Sequence, residues 1–176
     1  MKTNYKRNDV LIRSLTKDDV VGAAQVVVEG WRKAYKGIID DEYLDSLDVD
    51  ARAQGFAECV GDDNFIVAVL DGKVVGLCRF VFDNSFSPDI DYVDSELMAI
   101  YTHPDLKGQG IGAKMFKYAV KKLKDDGKRT MIVWCLKDNV DSVKFYEHMG
   151  GEVKEERMTE VGGKEYAEVG LVYNLD

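Results

Sequence analysis

Two neighbouring stretches, Glu96-Leu97-Met98-Ala99-Ile100-Tyr101 and Lys107-Gly108-Gln109-Gly110-Ile111-Gly112-Ala113, decide the fold of this chain. The first contains a continuous apolar run from Leu97 to Tyr101, which predicts a buried strand. The second begins a segment with an apolar residue every four positions and lysines on its other face. This pattern predicts an amphipathic helix from about Gly110 to Asp126. Three alternating glycines let a backbone approach a ligand closely, and a helix N-terminus presents unpaired N–H groups, so the junction predicts a phosphate or pyrophosphate site.

The glycine stretch has three other interpretations. A Walker phosphate loop requires Gly-Lys-Ser or Gly-Lys-Thr, and Gly112 is followed by Ala113-Lys114-Met115, which excludes it. The spacing Gly108-x-Gly110-x-x-Ala113 satisfies the loose dinucleotide pattern. However, a hairpin precedes it and the acidic residue Asp138 comes late, and both features disfavour a dinucleotide oxidoreductase. A plain structural turn is the third interpretation, although such a turn rarely needs three glycines.

The flanking sequence predicts a mixed sheet with helices packed on it, an α/β or α+β fold. Phe65 to Leu70, Asp71-Gly72 and Lys73 to Phe82 predict a hairpin, because Asp-Gly supplies the positive φ values of a two-residue turn. The other predicted elements are strands at 10–12, 130–136, 153–159 and 166–175, a helix from the cap Thr16 to Gly37, helical stretches at 40–46 and 51–60, and a helix at 141–149 ended by Gly150-Gly151.

Length and composition predict one domain over residues 1–176 and exclude several classes of protein. With 24 Lys and Arg against 32 Asp and Glu, the net charge of −8 disfavours a nucleic-acid binder. No apolar run approaches the roughly 18 residues of a membrane span. The apolar stretch after the basic segment Met1–Arg7 is too short for a signal peptide, so we expect a cytoplasmic protein. Cys59, Cys78 and Cys135 form no CxxC pair, so we expect neither a disulfide framework nor a metal site.

The stretch from Glu96 to Gly112 resembles the acetyl-CoA motif of the GNAT acyltransferases. The family pattern begins with Arg or Gln where this chain has Lys107, a departure that matters little if backbone amides hold the pyrophosphate. Asn139-x-x-Ser142-x-x-x-Tyr146-x-x-x-Gly150 resembles the family's closing motif, and Trp31 to Ile38 resembles its first-helix segment. The resemblance implies the GNAT fold, a mixed and mostly antiparallel sheet of about seven strands flanked by helices. It also implies acetyl-CoA as cosubstrate and direct transfer to an amine in a ternary complex.

The resemblance further implies roles for individual residues. The backbone around Ile100 would pair with the pantetheine arm, Asn139 would reach that arm, and Tyr146 would protonate the leaving thiolate. A helix N-cap for Asn139 and a core position for Tyr146 are the structural alternatives. The predicted cosubstrate-binding residues are Ala99, Ile100, Tyr101, Thr102, Lys107, Gly108, Gln109, Gly110, Ile111, Gly112, Ala113, Asn139 and Tyr146.

Glu96 is the candidate general base. It stands just before the buried apolar run, where burial would raise the pKa of a carboxylate towards neutrality. Asp91 and Asp94 are nearby competitors, and a solvated glutamate at a strand edge is the structural alternative. Cys135 has no neighbouring His or Lys in the sequence to lower its pKa, so it is expected to be a buried packing thiol rather than a nucleophile.

The acceptor is predicted from charge and aromatic residues. Acidic residues crowd positions 40–48 and 89–96, and Trp31 and Tyr35 lie one helical turn apart. Together with Asp94 they would suit a small cationic amine such as a polyamine or an amino sugar, with cation–π contacts from the aromatic rings. A solvated acidic surface remains open as an explanation. Protein N-termini or lysines as acceptors, a non-catalytic acyl-CoA sensor, and a homodimer also remain open.

Overall fold

The computed structural model describes residues 9–176, so the basic segment Met1–Arg7 and the leader-peptide prediction lie outside the described residues. The strands are β1 (Leu11–Ser14), β2 (Phe65–Leu70), β3 (Lys73–Val81), β4 (Glu96–Thr102), β5 (Thr130–Leu136), β6 (Glu152–Val161) and β7 (Lys164–Asn174). The helices are α1 (Val20–Ala34), α2 (Asp41–Ser46), α3 (Val49–Ala57), α4 (Ile111–Asp125) and α5 (Val140–His148). The helical stretches predicted at 40–46 and 51–60 correspond to α2 and α3.

The seven strands form one mixed sheet in the order β1-β2-β3-β4-β5-β7-β6. The pairs β1/β2, β2/β3, β5/β7 and β6/β7 are antiparallel, whereas β4 and β5 are parallel. The prediction of a mixed, mostly antiparallel sheet of about seven strands flanked by helices is confirmed. The β2–β3 turn is as predicted, since Asp71 and Gly72 have φ values of 51° and 75°.

The ladder between β4 and β5 is short. It pairs Glu96 with Ile132 and Leu97 with Val133, whereas β5 pairs with β7 over seven consecutive positions from Thr130 to Leu136. The edge of β4 beyond Leu97 is therefore not part of the ladder with β5. Among residues 9–176, no helix is long and apolar enough to cross a membrane.

The chain divides into two compact units. One consists of the residues up to Gly30, Asp48–Arg79 and Ala99–Tyr118, and its fully buried side chains include Phe65, Leu77 and Met115. The other consists of Trp31–Leu47, Phe80–Met98 and Ala119–Asp176, and its core includes Leu123, Met131 and Leu171. The prediction of one domain over residues 1–176 stays a prediction.

The start of α1 is fixed by a charged cluster in the first unit. The Asp19 carboxylate accepts hydrogen bonds from Thr16 N at 2.9 Å and from Arg13 Nη2 at 3.0 Å. The hydrogen bond from Arg13, helped by those from Thr16, lowers the pKa of Asp19 to about 2 against the opposing effect of burial. The predicted cap Thr16 thus acts together with Asp19 three residues later.

Candidate active site

The glycine loop has the backbone conformation that its sequence predicts. Gly108 and Gly110 both have φ of +82°, in the left-handed region that L side chains rarely adopt. A Cβ at Gly108 would meet no atom within 4 Å, so glycine is required there by conformation rather than by space. Gly112 lies inside the first turn of α4.

The loop ends at the N-terminus of α4. Lys114 N bonds to Gly110 O at 3.1 Å, which closes the first helical turn. The N–H groups of Ile111, Gly112 and Ala113 precede that bond and have no acceptor within the helix. Ile111 is 4% exposed and anchors the turn, while Lys107 to Gln109 are exposed. Positive φ values, exposed backbone and a helix N-terminus together fit a phosphate or pyrophosphate.

The second half of β4 precedes the glycine loop in the sequence. Ala99, Ile100, Tyr101 and Thr102 are half-buried, and they lie beyond the two positions that pair with β5. Their other edge faces β3, and His103 N extends that side by bonding to Val75 O at 2.8 Å. A strand whose ladder with one neighbour ends early offers backbone groups to an extended ligand that adds as a further strand.

Glu96 is a buried acid at the start of β4. It is 1% exposed, and its Oε1 atom is buried without a hydrogen-bond partner. Burial raises the pKa of Glu96, and the charge of Asp83 adds to this effect. Hydrogen bonding from Ser87, the charge of Arg157 and the Phe86 backbone oppose it. The physical premise of the general-base prediction, a carboxylate with a raised pKa, is met; its catalytic role stays a prediction.

Asn139 and Tyr146 lie at the two ends of α5. Asn139 is 6% exposed, and its side-chain oxygen accepts a hydrogen bond from Ser142 N at 3.3 Å, so it is the N-cap of the helix. Tyr146 is 7% exposed, and its ring contacts that of Phe145 edge to face at 5.2 Å. The main-chain carbonyl of Tyr146 accepts a hydrogen bond from the Tyr173 hydroxyl at 2.7 Å. Both residues thus occupy the positions named as structural alternatives, a helix N-cap and a core position, and their roles towards a cosubstrate stay predictions.

The predicted acceptor residues fall in two places of the second unit. Trp31 and Tyr35 contact each other edge to face at 4.8 Å and pack, half-buried, against the cluster of Ile39, Leu44 and Leu136. Asp94 accepts hydrogen bonds from Thr130 N at 3.0 Å and from Arg129 N at 3.1 Å. Burial raises the pKa of Asp94, but these hydrogen bonds outweigh it and the net shift is downward. Asp94 therefore fixes the start of β5, and its contact with an acceptor stays a prediction.

Three residues around Glu96 were not predicted from the sequence. Trp134 Nε1 donates to Ser87 Oγ at 2.8 Å, and the Arg157 guanidinium lies 3.9 Å from the Trp134 ring centroid. In sequence they are separate: a serine in a polar loop, a tryptophan in a strand and an arginine in an edge strand. No motif joins them, so only the sheet register could have indicated their proximity.

The thiol prediction agrees with the structure. Burial, with a smaller contribution from Glu168, raises the pKa of Cys135 to about 12, so its thiol stays protonated at neutral pH. Cys78 is fully buried, and burial raises its thiol pKa as well. Within residues 9–176, no group of three His, Cys, Asp or Glu side chains is arranged to hold a metal ion.

The mixed central sheet and the glycine loop at the start of α4 are the features of an acyltransferase. The chain belongs to the acetyltransferase (GNAT) family, whose model matches residues 27–151. The predicted family and the predicted N-acetyltransferase class are confirmed.

Individual relatives agree with this assignment. The chain is 28% identical over 162 residues to the uncharacterized N-acetyltransferase YuaI of Bacillus subtilis, covering 92% of this chain and 91% of that protein. It is 28% identical over 120 residues to the L-amino acid N-acyltransferase MnaT of Escherichia coli, covering 68% of this chain and 67% of that protein. The crystal structure of the PaiA N-acetyltransferase of Thermoplasma acidophilum in complex with coenzyme A has the same fold. Its TM-score is 0.72 at 19% identity, with 94% of this chain and 98% of that chain covered.

Proposed function

We propose that this chain transfers an acetyl group from acetyl-CoA directly to the primary amine of a small cationic acceptor, with Glu96 as general base and Tyr146 as general acid. The observation that carries the proposal is the Glu96 carboxylate, 1% exposed and with Oε1 lacking a partner. A buried carboxylate that lacks some of its hydrogen-bond donors destabilises the fold, so stability does not explain its presence. Such a group is expected where a proton has to be accepted.

The glycine loop and the edge of β4 support the choice of acetyl-CoA. The N–H groups from Lys107 to Ala113 would hold the pyrophosphate, and the backbone from Ala99 to Thr102 would pair with the pantetheine arm. A backbone N–H near Ala99 or Ile100 would stabilise the thioester oxygen as charge develops there. Bound acetyl-CoA supplies the activated acyl group. The related Thermoplasma structure contains coenzyme A, which agrees with this cosubstrate.

Two proton transfers balance the reaction. Glu96 takes the proton that the attacking amine loses as the N–C bond forms. Because burial raises its pKa, the ionised carboxylate is a stronger base than an ordinary glutamate. The Tyr146 hydroxyl gives a proton to the sulfur as the C–S bond breaks. A thiolate with a pKa near 8.5 needs only a positioned phenol for this step.

Aromatic rings and negative charge favour a cationic acceptor. Trp31 and Tyr35 present half-buried rings, and Asp41, Glu42 and Asp45 are exposed on the neighbouring helix α2. Asp40 is already paired with Lys164 at 2.8 Å, so it is the least available of these acids. The Escherichia coli relative is named for L-amino acids, which makes amino acids the second acceptor class to test. A cytoplasmic location and a homodimer remain part of the proposal.

The test is release of the CoA thiol by purified protein mixed with acetyl-CoA and one amine at a time. The panel contains spermidine, glucosamine, several amino acids and a short peptide with a free N-terminus. We expect turnover with the polyamine or the amino sugar. Turnover with amino acids or the peptide alone would replace the cationic acceptor by one of those classes. Acetyl-CoA binding without any turnover would indicate a sensor, and absence of binding would contradict the cosubstrate assignment.

A further inference from the structure

A chain of polar contacts leads from the edge of the sheet to Glu96. Glu96 pairs with Ile132 in the ladder of β4 and β5, and Trp134 is two residues past Ile132, on the same face of β5. Trp134 packs against Ile90, Val93 and Ile132, under the segment that connects β3 to β4. Its Nε1 atom donates to Ser87 Oγ in that segment. Ser87 is 4% exposed, so water does not compete freely for its hydroxyl.

We infer that Trp134, Ser87 and Arg157 are positioning residues for Glu96, in which Trp134 directs the Ser87 hydroxyl proton to the Glu96 carboxylate. The inference rests on the proposed function, because it assigns a purpose to the orientation of the proposed base. Trp134 and Arg157 act through Ser87 and the loop and are assigned no contact with either substrate.

The direction of the proton follows from donor and acceptor chemistry. The indole N–H is a donor only, so it occupies a lone pair on Ser87 Oγ. The serine hydroxyl has one proton, which is then free to be donated to another acceptor. The Glu96 carboxylate is the acceptor on which a Ser87 hydrogen bond acts, favouring its charged form. Trp134 thus selects the rotamer of Ser87 in which Glu96 receives the proton.

Arg157 holds both Trp134 and the loop residue next to Ser87 in place. Its guanidinium lies 3.9 Å from the centroid of the Trp134 ring, a distance typical of a cation–π contact. Its Nη1 donates to Phe86 O at 3.1 Å, which anchors the residue next to Ser87. Its Nε donates to Glu168 Oε1 at 2.5 Å, and Glu168 is itself 8% exposed. One side chain therefore holds both the indole and the loop that carries the serine.

The charged groups around Glu96 have opposite effects on its pKa. Burial and the charge of Asp83, in the segment after β3, raise the pKa of Glu96, while the charge of Arg157, on β6, lowers it. Glu168 on β7 is paired with Arg157 and reduces the positive charge that Arg157 offers. Ser87 therefore contributes to keeping Glu96 ionised at the pH at which it has to accept a proton.

The test is the titration of Glu96 in Ser87→Ala, Trp134→Phe and the double variant. Side-chain carboxyl carbons are labelled with ¹³C in glutamate, the Glu96 signal is assigned by its absence in E96Q, and its pKa is read without any substrate. S87A is expected to raise the pKa of Glu96. At pH values below that pKa it should lower kcat/KM about tenfold, and at higher pH it should change kcat/KM little. W134F keeps a ring for Arg157 but removes the N–H, and should shift the pKa in the same direction. The double variant should shift it no further than S87A alone.

Ser95→Ala is the matched control. Ser95 is a fully buried serine next to Glu96 in sequence, and its hydroxyl donates to Thr130 O at 2.6 Å, outside this chain of contacts. S95A should leave the Glu96 pKa unchanged. An unchanged Glu96 signal in folded S87A and W134F would overturn the inference, whatever the activity. If the Glu96 pKa shifts but the pH–rate profile does not follow it, the positioning of Glu96 by Ser87 and Trp134 is supported and its role as general base is overturned. Failure of this inference and failure of the proposed function therefore give different results.

Discussion

Glu96 lies opposite Ile132 in the first of only two register positions that join β4 to β5. Its carboxylate is thus held by a central strand and not by a loop, and it is buried with Oε1 unpaired. A base needs this fixed orientation, because proton transfer depends on distance and angle at the reacting nitrogen.

The first prediction concerns Glu96→Gln, which keeps the side-chain shape and removes the proton acceptor. We expect kcat to fall by about 10²- to 10⁴-fold, the usual contribution of a general base. Acetyl-CoA affinity, measured by calorimetry, should change less than about twofold, since the carboxylate is not part of the proposed cosubstrate cradle. Glu160→Gln, on exposed β6, is the control and should retain full activity. Wild-type turnover by E96Q would remove Glu96 from the mechanism.

The second prediction concerns the pH dependence of kcat/KM in the wild-type enzyme. Because burial raises the pKa of Glu96, the acid limb should lie above the range of an ordinary glutamate. The activity is expected to fall as the pH drops through that limb, since protonated Glu96 cannot accept a proton. The measurement is the rate of thiol release at low acceptor concentration between pH 5 and 9, and activity that stays constant down to pH 5 would contradict the assignment.

The sequence predicted the elements well where local chemistry specifies them. Asp71-Gly72 specifies a tight turn, and β5 begins and ends at the predicted residues Thr130 and Leu136. Helix α4 follows from its four-residue periodicity. In each case the signal is contained in a few consecutive residues, so the neighbouring strands are not needed to interpret it.

The surroundings of Glu96 were less predictable. The apolar run that follows it left open both burial and a solvated strand edge, and its partners Ser87, Trp134 and Arg157 are 9, 38 and 61 residues away in the sequence. Such contacts depend on strand order and register, which one sequence does not specify. Asp94 shows the same limit: the sequence does not reveal that its carboxylate accepts hydrogen bonds from the backbone N–H groups of Arg129 and Thr130.

The third prediction tests the glycine loop with Gly108→Ala. Ala at φ +82° is strained by about 1 kcal/mol or more, so the loop should relax and lose its alignment of N–H groups. The Kd for acetyl-CoA is expected to rise at least about tenfold. Gly127→Ala is a close match, because Gly127 also has φ +82° with no atom within 4 Å of an added Cβ, but lies outside the loop. G127A should lose similar stability and keep its affinity; equal losses of affinity would contradict a binding role for the loop.

The fourth prediction separates the two roles of Asn139. Asn139→Ser keeps an oxygen that can cap α5 but removes the side-chain amide, whereas Asn139→Ala removes both. N139A should lose about 1 kcal/mol of unfolding free energy, and N139S much less. If the amide also contacts the cosubstrate, both variants should weaken acetyl-CoA binding by a similar factor. Normal affinity in N139S would leave Asn139 as a helix cap only.

The fifth prediction concerns the stability of the fold and uses Asp19, which is distant in sequence from Glu96 and Tyr146. Its pKa of about 2 in the folded state is below the ordinary value of 3.8, mainly through the hydrogen bond from Arg13. A lowered carboxylate pKa contributes stability that is present above the unfolded-state value and is lost as the pH falls towards the folded-state value. The difference corresponds to about 2 kcal/mol at neutral pH.

Asp19→Asn should therefore destabilise the protein by roughly that amount at pH 7, and the gap from wild type should close between about pH 4 and pH 2. The measurement is urea unfolding across this range, with Asp18→Asn as the control. Asp18 is exposed next to Asp19 in sequence, and its substitution should cost little at any pH. Because Asp19 also receives the backbone N–H of Thr16, part of the loss reflects the start of α1. A constant gap between D19N and wild type at every pH would show that the contribution of Asp19 is packing and not charge.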